Sequence, residues 1–286
     1  MKKDILIMWA LWNSLWLSYE FHNRPFDISA FNWHWDDDIS QALMLAETIL
    51  QCPEKFDSRI FLDKLIGWYK YWYDSLKNYP EWIWFQTREL LEKAEHDSTF
   101  TPRTIDMSWK HLDWNGSLMR VWPAAMVANW NIGAQQSRVT HNTILCNFTC
   151  EFFVDLLHTA CVAASKEWAM IETIEWFKEI YWDDMPNELY KLIDWWYIEP
   201  INKPSWYVID TLHAVLNTFI HTTSPMEWFE YIINLWWDTD TTACIYWYLA
   251  WAYYWIDDEV SKLIDKIEDI DYIKYLSRKL VQRSMN

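Results

Sequence analysis

Three glycines in 286 residues set the hardest limit on how this chain can fold. Glycine supplies left-handed backbone in turns and lets two backbones approach closely. Average usage is about 7%, so a chain of this length should hold roughly 20. About 17 are missing by that measure, while tryptophan, ordinarily among the rarest residues, occurs 25 times. The deficit and the excess are close in size, which suggests that many tryptophan positions are glycine positions.

The spacing of the indoles supports that reading. Trp247, Trp251 and Trp255 recur every fourth residue, the interval at which small side chains let helices pack tightly. Trp9, Trp12 and Trp16 fall on one helix face. Trp236 and Trp237 sit directly before the acidic stretch Asp-Thr-Asp, and Trp114 directly before "NGSLMR", both places for a turn. A codon that the host reads as glycine, as UGA is read in some bacterial lineages, would give this pattern if it were translated as tryptophan. Read literally instead, the indoles would form aromatic core stripes, each burying about 150–250 Å², in a helical interaction protein. Trp68, in "GWYKYW", reads as a genuine core tryptophan.

Helical periodicity covers most of the rest. The pattern predicts helices over about 4–20, 39–50, 57–75, 86–96, 117–129, 142–164, 168–181, 187–196, 207–221, 225–235, 240–255 and 258–284, the last broken. "DISQALMLAETIL" shows a start signal, with Asp38 as cap and Ala42, Leu43, Leu45, Ala46 and Ile49 as the apolar face. No run alternates cleanly with period two, and Asn115-Gly116 leads into a helical pattern rather than a second strand. Pro200, Asn202 and Pro204 mark a loop, but acidic motifs on either side of it belong together. The expectation is one all-α domain over 1–286, acting as a monomer.

Charge and cysteine usage narrow the function. With 52% apolar residues the chain has the makings of a core. A net charge of −17 argues against a nucleic-acid surface and against anionic membranes. Met1-Lys2-Lys3 before "DILIMWALW" is signal-like, but Asp4, Asn13 and Ser14 interrupt it and no small-residue cleavage site follows, so it reads as a buried helix. No stretch is long and apolar enough to cross a membrane. Five scattered cysteines without a Cys-x-x-Cys pair fit a reduced cytoplasmic protein, with Cys146 and Cys150 as core residues.

Two acidic helix starts carry the chemistry: "HWDDDIS", with Asp36, Asp37 and Asp38, and "DTDTT", with Asp238, Asp240, Thr241 and Thr242. One Asp at a helix start caps free N–H groups. Three in a row repel one another, and a bound cation removes the conflict. Carboxylate and hydroxyl oxygens without His or Cys suit Mg²⁺, Mn²⁺ or Ca²⁺, and two such clusters face to face could hold a binuclear site. Taken singly, Glu20 is a helix-end carboxylate, His141 a satisfied core or cap histidine, and Asn115-Gly116 a turn.

With glycine in place of the indoles, 236–255 resembles the C-terminal signature of the ADP-ribosylglycohydrolase family, of the dinitrogenase-reductase-activating type. Five more segments resemble its motifs in the same order: "WALWNSLWLSYEF" (9–21), "WDDDISQALMLAETIL" (35–50), "WNGSLMRVWP" (114–123), "RVTHN" (138–142) and "WYVIDTLHAVL" (206–216). The match spans about 5–257, leaving 258–286 as a helical extension.

The resemblance implies the family's compact orthogonal helical domain with two divalent cations, Mg²⁺ or Mn²⁺, in a cleft. It implies Asp36, Asp37, Asp38, Asp238, Asp240 and Thr241 as metal ligands, and Glu20 and Asp37 as catalytic carboxylates. Asn115, Gly116 and Ser117 would cradle the diphosphate through backbone N–H groups, and His141 would lie along the substrate cleft. The implied activity is removal of ADP-ribose from a modified protein side chain or a related small conjugate. Three departures stand out: Asp36 for a usual Thr, Ile39 for a second Thr, and Asn13 for a usual Asp. The alternative that they raise is a catalytically weak or inactive relative that binds ADP-ribose or serves a structural role.

Overall fold

A computed structural model describes residues 36–73, 83–97, 99, 112–127, 129, 131–195, 205–224, 227, 231, 238–254, 267 and 269–284. The predicted helices at 4–20 and 225–235, together with Glu20, Asn13, Trp9, Trp12, Trp16, Trp236, Trp237 and Trp255, lie wholly or mostly outside those residues.

Within them the chain is all-α. In chain order the helices are α1 (Asp37–Gln51), α2 (Ser58–Tyr71), α3 (Phe85–His96), α4 (Trp122–Met126), α5 (Asn131–Thr140), α6 (Ile144–Ala160), α7 (Lys166–Tyr181), α8 (Asn187–Trp195), α9 (Val208–His221), α10 (Thr239–Tyr253) and α11 (Ile270–Ser284). A short 3₁₀ turn, Asn115–Ser117, precedes α4. Among the described residues the one isolated β-type pairing joins Trp114 to Tyr207.

Local chemistry explains most helix starts. Asp57 caps α2 by accepting from Arg59 N at 2.8 Å and Ile60 N at 3.2 Å. Thr143 caps α6 from Cys146 N at 3.1 Å, and Ser165 caps α7 from Trp168 N at 3.1 Å. Each such cap is worth about 1 kcal/mol. Helix α1 begins at Asp37, two residues earlier than expected. Asp36, not Asp38, is its N-cap and accepts from Asp38 N at 3.1 Å, which releases the Asp38 side chain to point elsewhere.

Helices α6 and α10 form the centre. Nearly every residue of α10 from Thr241 to Ala252 is buried, as is most of α6. They pack on each other, with α5 and α7 against α6, α9 against α10, and α11 closing over α1 and α4. Both helices are apolar on nearly all faces, the pattern of a helix enclosed by others.

Helix α5 was not expected as a separate element. "NIGAQQSRVT" carries a glycine and six polar residues, so its apolar stripe is thin. Tertiary packing holds it: a Cβ at Gly133 would meet Cys150 O at 3.0 Å and Val154 Cγ2 at 3.2 Å. Glycine is needed there because α5 and α6 run in close backbone contact. The predicted helix over 117–129 resolves into the 3₁₀ turn and the short α4, with Pro123 in the first turn of α4.

Candidate active site

The two acidic helix starts come together. Thr241 Oγ1, in the first turn of α10, donates toward Asp38 Oδ1 and Oδ2 at 3.4 and 3.5 Å. Asp36 feels the charges of Asp37 and Asp240, and Asp38 those of Asp36, Asp37, Asp240 and Asp238. Asp36, Asp38 and Asp238 are each at most 5% exposed, while Asp37 is half-buried at the edge, 3.5 Å from Gln41 Nε2.

This is an unfavourable place for bare negative charge. Burial first, then repulsion from the neighbouring carboxylates, holds Asp36 and Asp38 well above the usual carboxylate range. Burial also raises Asp240. Asp36 Oδ2 and Asp240 Oδ1 are buried without a hydrogen-bond partner. Asp238 is the N-cap of α10 in the left-handed region, at φ 31° and ψ 46°, a conformation that Asp tolerates better than most residues.

The loop 115–117 lies against this cluster. Asn115 Nδ2 donates to Asp238 Oδ2, and to Thr211 Oγ1 at 3.0 Å. Backbone bonds tie the loop to the start of α9: Asn115 N to Trp206 O at 3.0 Å and Val208 N to Asp113 O at 2.8 Å. Gly116 and Ser117 open the 3₁₀ turn, where backbone N–H groups lack intrahelical acceptors. The Ser117 side chain faces inward and accepts from Ser137 Oγ at 3.0 Å. Cys146 Sγ donates to Trp114 O at 3.4 Å. Cys146 and Cys150 are buried free thiols, both pushed up by burial.

His141 packs behind the loop. Its Nδ1 pairs with Thr140 Oγ1 at 2.8 Å, and a Cβ on Gly116 would meet its Cε1 at 2.9 Å. Burial, reinforced by the Arg120 charge, lowers it to about 3, so the imidazole is neutral.

Arg120 was passed over in the sequence reading, although it ends the "NGSLMR" motif. It is fully buried. Its Nε donates to Gln136 Oε1 at 2.8 Å, Nη1 to Gln41 Oε1 at 2.7 Å, and Nη2 to Gln136 O at 3.1 Å and Thr140 Oγ1 at 2.6 Å. Gln136 Nε2 in turn donates to Ser117 O at 2.9 Å. One guanidinium thus fixes α1, α5 and the loop relative to one another, a task for its planar fork. Thr211, in the "DTL" segment, accepts from Asn115; like Arg120, it lies inside a motif whose spacing alone assigns it no role.

The donor set suits a hard cation: every side chain in the cluster offers oxygen, and two carboxylate oxygens are unpaired. Among the described residues, no group of three or more His, Cys, Asp or Glu side chains is arranged to hold a metal ion.

The fold, the paired acidic helix starts and the small-residue loop define a class, and comparison with known proteins supplies its name. The ADP-ribosylglycohydrolase family model matches residues 13–285, and the chain belongs to that family. It is 27% identical over 266 residues to an ADP-ribosylarginine hydrolase Tri1 of Pseudomonas putida (strain GB-1), covering 91% of this chain and 69% of that protein. It is 24% identical over 256 residues to an ADP-ribosylarginine hydrolase Tri1 of Serratia proteamaculans (strain 568), covering 86% and 66%. A solved structure described as an ADP-ribosylglycohydrolase-related protein complex shares the fold, with a TM-score of 0.75 at 23% identity over 99% of this chain and 98% of that one.

Proposed function

We propose that the chain is a divalent-cation-dependent hydrolase that releases ADP-ribose from a modified protein side chain or a related small conjugate. The curated relatives are named for ADP-ribosylarginine, which makes the arginine linkage the first to test.

One observation carries the reading: carboxylates from two helix starts about 200 residues apart are buried together with unpaired oxygens, under a glycine-containing turn. Nothing in the packing requires that concentration of charge, and its cost in stability marks a functional site.

Asp36, Asp37, Asp38, Asp238, Asp240 and Thr241 would hold two cations, Mg²⁺ or Mn²⁺. When bound, the cations would neutralise the carboxylates and polarise ribose hydroxyls and an attacking water. The Gly116 and Ser117 N–H groups hold the diphosphate. Asn115 keeps the Asp238 carboxylate in place through its amide. His141, neutral and wedged against Gly116, maintains the turn. The bond between the anomeric carbon and the side-chain nitrogen breaks through an oxocarbenium-like state, which the surrounding carboxylates stabilise. Asp37, at the accessible edge, accepts the proton of the attacking water, and Glu20 is its proposed companion. Water supplies hydroxyl to the sugar and a proton to the leaving nitrogen.

Ile39 favours the alternative of a catalytically weak or inactive relative that binds ADP-ribose. It is fully buried in the core, so the hydroxyl expected at that position is absent and Asp36 adds a charge. Hydrolysis of an ADP-ribosyl-arginine peptide with Mg²⁺ or Mn²⁺, and then with chelator, separates the two. Cation-dependent release supports the hydrolase; tight binding of ADP-ribose without release supports a binding relative.

A further inference from the structure

Gln41 stands one turn after Asp37 on α1 and is 2% exposed. Residues four apart on a helix share a face, and the Gln41 amide lies between two groups of opposite character. Arg120 Nη1 donates to its Oε1 at 2.7 Å, and its Nε2 donates toward Asp37 Oδ2 at 3.5 Å.

A side-chain amide has two ends of nearly the same shape and opposite polarity, so its neighbours decide which way it points. A guanidinium offers donors only. Turned over, the amide would set N–H against N–H at Arg120 and a carbonyl oxygen against a carboxylate at Asp37, two repulsions in a buried place. Arg120 cannot turn away to relieve them. Its Nε and Nη2 are held by Gln136 and Thr140, and its guanidinium carbon lies 5.2 Å from the centre of the Phe61 ring.

The acceptors of Arg120 are all neutral oxygens, although Gln41 brings the guanidinium within one side chain of an acidic cluster. A direct Arg–carboxylate fork would cancel the charge of Asp37 and occupy its oxygens. Through the amide, Asp37 receives one neutral N–H, which directs the carboxylate and leaves its charge for a ligand.

We propose that Gln41 is a positioning residue for the Asp37 carboxylate, and that Arg120 fixes the amide so that its NH₂ end faces Asp37. The consequence for catalysis rests on the function proposed above; the amide orientation does not. The same guanidinium polarises Gln136 the other way, toward Ser117 O at 2.9 Å. One residue thus sets both the acidic cluster and the turn at 115–117.

The orientation is tested without cation or substrate. In chelator, D37N is expected to shift the NMR resonances of the Gln41 side-chain NH₂; unchanged resonances overturn the amide arrangement. The positioning role is tested with Q41M, which keeps the length of the side chain and removes its donor. Partners that orient a metal ligand typically contribute about 10–100-fold to metal affinity or activity. Q41M should therefore weaken Mn²⁺ binding in calorimetry about tenfold or more and lower kcat by a similar factor, with KM for ADP-ribosyl-arginine within about twofold of the parent. Q136M takes the other glutamine from Arg120 without touching Asp37. It should lose comparable thermal stability and raise KM, but weaken Mn²⁺ binding less than about threefold. Equal weakening by the two variants, or none by Q41M, overturns the positioning role. Q41E keeps an acceptor for Arg120 and presents oxygen in place of N–H to Asp37, so its kcat at saturating Mn²⁺ should stay as low as that of Q41M. Parental kcat in Q41E would show that Gln41 serves only to satisfy Arg120, and Q41E decides the matter if Q41M does not fold. If the parent cleaves no ADP-ribosyl-arginine while the Gln41 resonances respond to D37N, the hydrolase reading fails and the amide arrangement stands.

Discussion

Thr241 Oγ1 lies 3.4 Å from a carboxylate oxygen of Asp38, a residue 203 positions earlier in the chain. That contact joins the first turn of α10 to the first turn of α1 and brings two acidic sets into one buried volume. The fold spends stability there. Burial first, and then repulsion between like charges in low dielectric, hold the carboxyls well above their usual range.

Removing one charge should therefore stabilise the chain while disabling it. D240N keeps the shape of a residue whose Oδ1 has no partner. In the presence of chelator its melting temperature should rise by roughly 2–4 °C, the equivalent of about 1 kcal/mol in a large domain. Hydrolysis should fall by about 10²-fold or more. Addition of Mn²⁺ should raise the melting temperature of the parent by more than that of D240N, since only binding to the folded state stabilises it. A D240N protein that is less stable in chelator, or fully active, contradicts the account of the site.

Asn115 should behave as a positioning residue. Its amide bridges Asp238 and Thr211. N115A leaves buried partners unsatisfied and should cost about 1–3 kcal/mol in urea unfolding. N115D adds a sixth carboxylate to the cluster, beside Asp238, and should lose more activity than N115A at equal cation concentration. Equal activity for the two would show that the charge at 115 is irrelevant.

Gly116 and His141 offer a paired test. G116A forces a Cβ to within 2.9 Å of the imidazole Cε1, closer than the ring can accept without shifting the turn. The expected effect is a raised KM for ADP-ribosyl substrates with a smaller change in kcat, because the diphosphate cradle moves while the carboxylates do not. Truncating the ring in G116A/H141A should recover part of that loss. No recovery would mean that the turn is not held by this contact.

How much of this was legible beforehand divides along physical lines. The helices with strong apolar stripes, α1 and α2 with a capping Asp and α9 without one, were readable to within a few residues. α5 was not, because its place depends on a backbone approach at Gly133 that no local pattern announces. Asp36 as cap was missed because three consecutive Asp residues compete for one role, and only the geometry of Asp38, aimed at α10, decides it. That the two acidic helix starts belong together was expected from charge repulsion, which calls for a shared cation, and from the family motifs on either side of the loop at 200–204. Arg120 was invisible as a frame, since burying a guanidinium on neutral partners is against the usual expectation for that residue.

A second pair of carboxyls lies away from the cluster on α6 and should set a pH dependence of stability. Glu151 is raised to about 7 by burial, offset in part by Arg138 and Tyr181, and Asp155 to about 8 by burial and the charge of Glu151. Asp155 Oδ2 has no hydrogen-bond partner. Both groups hold their protons more tightly folded than unfolded. Their contribution is fully present near pH 4 and is lost as pH rises through about 7 and 8. Melting temperatures should fall across that range, and E151Q/D155N, which mimics the protonated pair, should flatten the profile. A parent profile as flat as that of the double variant would show that the pair does not titrate there.

The indoles of α10 bear on whether the chain as written can be made at all. Trp247 and Trp251 are each 1% exposed, with rings stacked at 5.2 Å and 17°. Trp251 Nε1 is buried without an acceptor, a loss of about 1–3 kcal/mol for an unpaired donor. Both indoles lie on the helix that presents Asp240 and Thr241, so any adjustment made to house them is passed to the acidic cluster. At positions meant for glycine, overpacking adds about 1–3 kcal/mol per site, and a few such sites exhaust the 5–15 kcal/mol that holds a domain folded. Translated with tryptophan throughout, the chain should be insoluble or inactive, so the variants above are compared in the form that carries glycine at 236, 237, 247, 251 and 255. Made with glycine at 236, 237, 247, 251 and 255, it should be soluble, with a single cooperative melting transition. A soluble and active all-tryptophan product would show that these side chains belong where they are written.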